Sequence, residues 1–103
     1  MSNAALTEAV YYILLSLTKP MHGYGIMQNV EQLSQGRVKL AAGTLYGAIN
    51  TLLEKRWIQS LPGEIDTRKK EYQITEQGTQ VLRAELLRLR ELIENGMHIL
   101  EVD

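Results

Sequence analysis

Ala42-Gly43-Thr44-Leu45-Tyr46-Gly47-Ala48-Ile49-Asn50-Thr51-Leu52-Leu53-Glu54-Lys55 is the stretch from which the rest of this chain can be understood. On a helical wheel started at Leu45, residues Ile49, Leu52 and Leu53 fall at i+4, i+7 and i+8 of one apolar stripe. The segment therefore predicts a helix with one side turned to a core. The other side holds Gly43, Thr44, Gly47, Asn50, Thr51 and Glu54, nearly all small or uncharged. Such a face can come close to a second surface, and an asparagine amide can meet a base edge with both its donor and its acceptor. A solvated face would carry the same residues, so the helix by itself leaves both uses open.

The segment after the helix narrows the choice. Ile58 to Leu61 and Glu71 to Ile74 predict two short strands, and Pro62-Gly63-Glu64-Ile65-Asp66-Thr67 between them has the residues of a loop. Arg68, Lys69 and Lys70 then stand together. Three adjacent cations are commonly just solvated surface, and their weight here comes from order and spacing. A basic hairpin directly after a core-anchored helix is the layout of a winged helix-turn-helix, in which the helix enters the major groove and the wing touches phosphates. The expected fold class is mainly α with a small β-hairpin.

Working outward, Leu6, Val10, Ile13, Leu14 and Leu17 share one stripe of a first helix running from about Leu6 to Leu17. Tyr11 and Leu15 form a second apolar flank, which suits a helix with two packing partners. Thr18-Lys19-Pro20 ends it, because the residue before proline is pushed out of helical geometry. A second helix begins near Gly23 or Tyr24 and turns Ile26, Val30 and Leu33 inward before Ser34-Gln35-Gly36 stops it. For His22 and Tyr24, turn and packing roles are expected. Arg37-Val38-Lys39-Leu40 alternates and predicts a short strand before the next helix. Trp57, flanked by Leu53 and Ile58, is expected in the core at the junction of helix and hairpin.

Beyond the hairpin, Thr75-Glu76 predicts an N-cap followed by a first-turn acid. Leu82, Leu86, Leu89, Ile93, Met97 and Leu100 then recur at steps of four, three, four, four and three, close to a coiled-coil seam. A continuous helix from Glu76 to Leu100 would extend about 37 Å at 1.5 Å per residue, against a radius of gyration of about 13 Å for a domain of this size. Such a helix overhangs its own domain, and its simplest partner is the same helix of a second, two-fold related subunit. Asn95-Gly96 is the place where it would end early if it does. Two regions of one domain are therefore expected, a winged-helix part over 1–74 and a dimerisation helix over 75–103.

Charge is polarised along the chain. The whole carries a net charge of −1, which alone does not suggest a nucleic-acid binder. Residues 37–70, however, hold seven Lys or Arg against three acids, whereas residues 71–103 hold three against seven. One face can attract phosphate while the rest is acidic. The acids of the last helix alternate with bases as solvated charge would.

One hundred and three residues at 45% hydrophobic content make one domain. With no cysteine and with His22 and His98 far apart, neither a disulfide framework nor a metal site is expected, and no cofactor. The longest apolar run, Ala9 to Leu15, is short of a membrane span, and no secretory signal is recognised, so a cytoplasmic protein is expected. No phosphate-binding loop follows Gly43 to Gly47 and no nucleophile elbow occurs; the chain does not read as an enzyme.

Gly43-Thr44-Leu45-Tyr46, the Leu53-Glu54-Lys55 turn with Ile58, and Arg68 with Tyr72, Thr75 and Gly78 together resemble the signature of PadR-like winged-helix transcriptional regulators, in their short form. His22-Gly23-Tyr24 followed by Ile26 resembles the second helix of that family, so the likeness spans about residues 6–80. Gly47 stands where the family commonly has Pro, Arg56 where it commonly has Gly, and Trp57 where an aliphatic residue is usual.

The resemblance implies a DNA-binding regulator, a repressor in the common mode, acting as a homodimer on double-stranded DNA, with a small-molecule effector in many members. Thr44, Tyr46, Gly47, Asn50 and Thr51 are expected at the major groove, and Lys39, Arg68, Lys69 and Lys70 at phosphates. Tyr11, Leu15 and the seam from Leu82 to Leu100 are expected at the dimer interface. The rival is a winged-helix module that binds protein and not DNA, suggested by the net negative charge and the weakly polar helix face.

Overall fold

The computed structural model describes residues 5–62 and 70–102. In chain order the elements are α1 (Glu8–Ser16), β1 (Met21–His22), α2 (Gly23–Leu33), α3 (Ala42–Glu54), β2 (Ile58–Ser60), β3 (Glu71–Ile74) and α4 (Glu76–Leu100). The three strands form one antiparallel sheet in the order β1-β3-β2, with Met21 opposite Tyr72 and Ile58 opposite Ile74. This is a winged helix-turn-helix with a long terminal helix.

One core joins the layers. Ile13, Leu14 and Leu17 from α1 and its C-cap meet Ile26 and Val30 of α2, Leu45, Ile49 and Leu52 of α3, Ile58 and Tyr72 of the sheet, and Leu82 of α4. The α3 stripe is almost fully removed from water, with Leu45, Ile49 and Leu52 at 0%, 1% and 2% exposure. Burying each such side chain contributes roughly 1.5–3 kcal/mol, which fixes the rotation of α3 about its axis and hence which face it turns outward.

Local chemistry sets the ends of the helices. Thr7 caps α1 by accepting the Val10 N–H, and His22 caps α2 through Nδ1, which accepts the Gly25 N–H at 3.2 Å. His22 thus has the turn role expected of it. Thr75 caps α4 as its sequence predicts.

Three expectations are corrected. Residues 37–40 do not form a strand: Ser34 Oγ accepts the Val38 N–H at 2.9 Å, so that donor is used in closing α2. The third strand is Met21–His22 instead, on the opposite edge of β3 from β2. Leu33, expected inward, is 45% exposed, because it lies in the last turn of α2 beyond the reach of the core. Tyr24, expected to pack, is 64% exposed.

Asn95-Gly96 does not interrupt α4, which continues as one helix of 25 residues to Leu100. Its acids are not all solvated either. Glu85 is 3% exposed and is held by Arg88, whose Nε and Nη2 donate at 2.6 and 2.8 Å, and by the Leu6 N–H at 3.1 Å. Those donors, the Arg88 guanidinium foremost, hold its carboxyl below the usual carboxylate range despite burial. From Arg90 to Val102 every residue is exposed, so this half of α4 stands clear of its own domain.

Candidate nucleic-acid interface

With the stripe of α3 fixed inward, Gly43, Thr44, Gly47, Asn50 and Thr51 all come to the exposed surface together. Thr44, Gly47, Asn50 and Thr51, four of the residues expected at DNA, therefore share a single side of one helix. Among the described residues nothing crowds the two glycines: a Cβ added to Gly43 or to Gly47 would meet nothing within 4 Å. Glycine within a helix costs roughly 0.5–1 kcal/mol relative to alanine, and packing among the described residues does not require either one. Thr51 Oγ1 donates to the Gly47 carbonyl at 3.2 Å, which turns its hydroxyl hydrogen along the helix.

Tyr46 is placed differently. It is 46% exposed, yet its ring tip lies on α2: a Cβ on Gly23 would collide with the Tyr46 hydroxyl oxygen. Part of the ring braces α3 against the start of α2, and the remainder faces outward. Tyr72 of β3 lies near it. Burial first, and the nearby Tyr46 second, push the Tyr72 hydroxyl above its ordinary value.

Among the cations, Lys39 is exposed in the loop ahead of α3 and Lys70 is exposed just before β3. Arg68 and Lys69 lie outside the described residues. Arg37, which adds to the positive count of this region, is engaged elsewhere, donating from Nη1 to Glu8 Oε1 at 2.7 Å. Lys55 rests over the Trp57 ring, 4.8 Å from its centroid. Trp57 is half-buried against the core, as expected, and also lines a cavity with Leu6, Val10, Leu52, Val81 and Glu85.

The residues expected at a dimer interface divide into two groups. Leu82, 8% exposed, packs into the core of its own chain, and Tyr11, Leu15 and Leu89 are half-buried. Leu86, Ile93, Met97 and Leu100 are 55%, 59%, 37% and 74% exposed, so the outward seam begins at Leu86. Leu92 and Ile99, at 54% and 76%, widen it on one flank. No sequence signal marked that flank, because both positions fall outside the heptad-like steps.

No curated protein sequence matches this chain. Among solved structures, it is similar to a PadR family transcriptional regulator from Eggerthella lenta, with a TM-score of 0.72 at 24% identity over 91% of this chain and 82% of that one. It is also similar to a PadR-like transcription factor from Bacteroides fragilis, with a TM-score of 0.71 at 25% identity over 88% and 87%. A PadR family regulator from Clostridium difficile gives 0.69 at 21% identity over 90% and 96%. These likenesses establish the shared fold. The family model for PadR-like transcriptional regulators matches residues 12–84, most of the winged helix and the first turns of α4, and the chain belongs to that family.

Proposed function

We propose that the chain is a homodimeric, sequence-specific DNA-binding repressor acting at an inverted-repeat operator. The observation that carries this is the outer face of α3, where Gly43 and Gly47 leave space that no described residue occupies, beside exposed Thr44, Asn50 and Thr51. In this reading those residues meet the major groove, with Tyr46 at its edge. Lys39 and the wing cations Arg68, Lys69 and Lys70 neutralise phosphates. The dimer forms through the seam of α4 from Leu86 to Leu100, supported by Tyr11, Leu15 and the flank of Leu92 and Ile99. Seven large apolar side chains between 86 and 100, Leu87 among them, are more than a third exposed and support association over a monomeric state. A repressor acts here by occupying its operator. A small-molecule effector, as the family resemblance implies, would act on this dimer.

Helix and wing carry different physical tasks, and that difference supplies the test. Replacing Arg68, Lys69 and Lys70 with Ala should weaken binding to fragmented genomic DNA of every sequence alike, and flatten the salt slope by about 0.9 for each phosphate no longer neutralised. Replacing Asn50 with Ala should cost about 1–3 kcal/mol on a selected operator alone. A pure protein that shifts no DNA fragment at low salt would instead favour a module that binds protein.

A further inference from the structure

The turn that closes α3 is tied to the first turn of α4 through one residue. Arg56 N–H donates to the Leu53 carbonyl at 3.0 Å and Trp57 N–H to the Leu52 carbonyl at 3.1 Å, with Arg56 left-handed at φ 63°. That is a Schellman closure. Thr75 then takes both carbonyls of the turn: its hydroxyl donates to Arg56 C=O at 2.7 Å and its N–H to Trp57 C=O at 2.9 Å. The same hydroxyl oxygen accepts the Gly78 N–H at 3.0 Å and caps α4. Gly78 completes the joint, since a Cβ there would collide with the Trp57 carbonyl oxygen. The closest clash is backbone against backbone, and movement of the Ile74 side chain, whose Cγ1 would lie 2.8 Å from that Cβ, would not relieve it.

Thr75 does two separable things. A cap needs only an acceptor, which Ser, Asp or Asn supplies equally well. Holding the Arg56 carbonyl needs a donor, and the hydroxyl has a single hydrogen to give. The second bond therefore adds nothing to the cap; it removes play between the end of the recognition helix and the start of the helix that overhangs the domain. A small rotation at this joint would be carried to the far end of a helix of 25 residues.

We propose that Thr75 and Gly78 are positioning residues that set the half-site spacing the dimer accepts, although neither lies on the outer face of α3. This rests on the dimeric operator-binding function proposed above. When two subunits are joined through α4, the separation of their α3 helices is fixed by the α3-to-α4 angle, which the joint holds together with Leu82 in the core and the bond from Leu6 N–H to Glu85.

The test uses synthetic duplexes carrying the half-site that the wild-type protein selects from a random-sequence library. The half-sites are placed as inverted repeats at a series of spacings in steps of one base pair, around one helical turn of about 10 base pairs and around two. Wild type and Thr75→Ser should share one favoured spacing, with affinity falling on the order of tenfold one base pair to either side. Thr75→Asp keeps the cap and the α4 helicity read by circular dichroism but has no donor, and its preference should flatten to within about threefold. Thr75→Gly, a tolerated cap without any side chain, should behave as Thr75→Asp does and serves if that variant does not fold. A folded Thr75→Asp or Thr75→Gly protein with the wild-type spacing profile overturns the proposal. Wild type that binds a lone half-site as tightly as a pair overturns the dimeric reading itself, and with it the joint's role.

Discussion

Gly23 and Tyr46 stand so close that Gly23 cannot gain a side chain unless the ring moves: a Cβ on Gly23 would collide with the Tyr46 hydroxyl oxygen and lie 2.8 Å from ring atom Cζ. Gly23 opens α2 and Tyr46 lies in α3, so the pair sets how α3 sits on α2. Tyr46 is half exposed and can swing outward, so Gly23→Ala should leave the melting temperature within a few degrees. If the outer face of α3 meets DNA as proposed, displacing the ring should weaken DNA binding by on the order of tenfold. The loss should be absent when Gly23→Ala is added to Tyr46→Ala, since the clash has gone with the ring. Additive losses in that double-mutant cycle would show that Gly23 acts by another route.

Ile93 is 59% exposed on a stretch of α4 that stands clear of its own domain. Ile93→Arg should therefore leave the monomer folded while placing an unpaired charge at the centre of the seam. Sedimentation should show wild type as a dimer at micromolar concentration and the variant dimerising more than about a hundredfold more weakly. A monomeric wild type would remove the seam as an interface.

Arg56 adopts φ 63°, a conformation that costs a side-chain-bearing residue about 1 kcal/mol and glycine nothing. Arg56→Gly should consequently be neutral or stabilising, the relief in the folded state offsetting the added freedom of the unfolded chain. A melting temperature several degrees lower would mean that the arginine side chain contributes more than its backbone strain removes.

Much of this architecture is legible in the residues alone. The i, i+4, i+7 stripe of Leu45, Ile49 and Leu52 identifies both the buried and the outward side of α3, and Thr75 announces the start of α4. What escapes is whatever depends on partners far along the chain. Met21–His22 is too short to show a strand period and becomes one only because β3 lies alongside. Glu85 looks like any solvated acid in an alternating run until Arg88 and the Leu6 N–H, 79 residues away, are seen to enclose it. Leu82 fits the seam by spacing but is drawn into the core because α4 begins on the domain and leaves it only later.

Glu85 gives the chain an acid limit. Its folded-state pKa is depressed by Arg88 and the Leu6 N–H, so its contribution to stability is complete above its unfolded value of about 4.3 and is lost as pH falls through the folded value. Thermal melts should show stability level near neutral pH and falling in acid below that unfolded value. Glu85→Gln should lower the melting temperature by several degrees at pH 7 and make the acid loss shallower. An unchanged acid profile in the variant would show that other carboxylates set the limit.

Gly47 offers the most direct test that the outer face of α3 is made to meet DNA. A Cβ there meets nothing within 4 Å among the described residues, so Gly47→Ala should stabilise the folded protein by about 0.5–1 kcal/mol. The same methyl group should hold α3 away from the major groove and lower affinity for a selected operator by about tenfold or more. Melting temperature and operator affinity measured on one preparation should thus move in opposite directions. A variant that melts higher and binds the operator as tightly as wild type would contradict the assignment of this face to DNA.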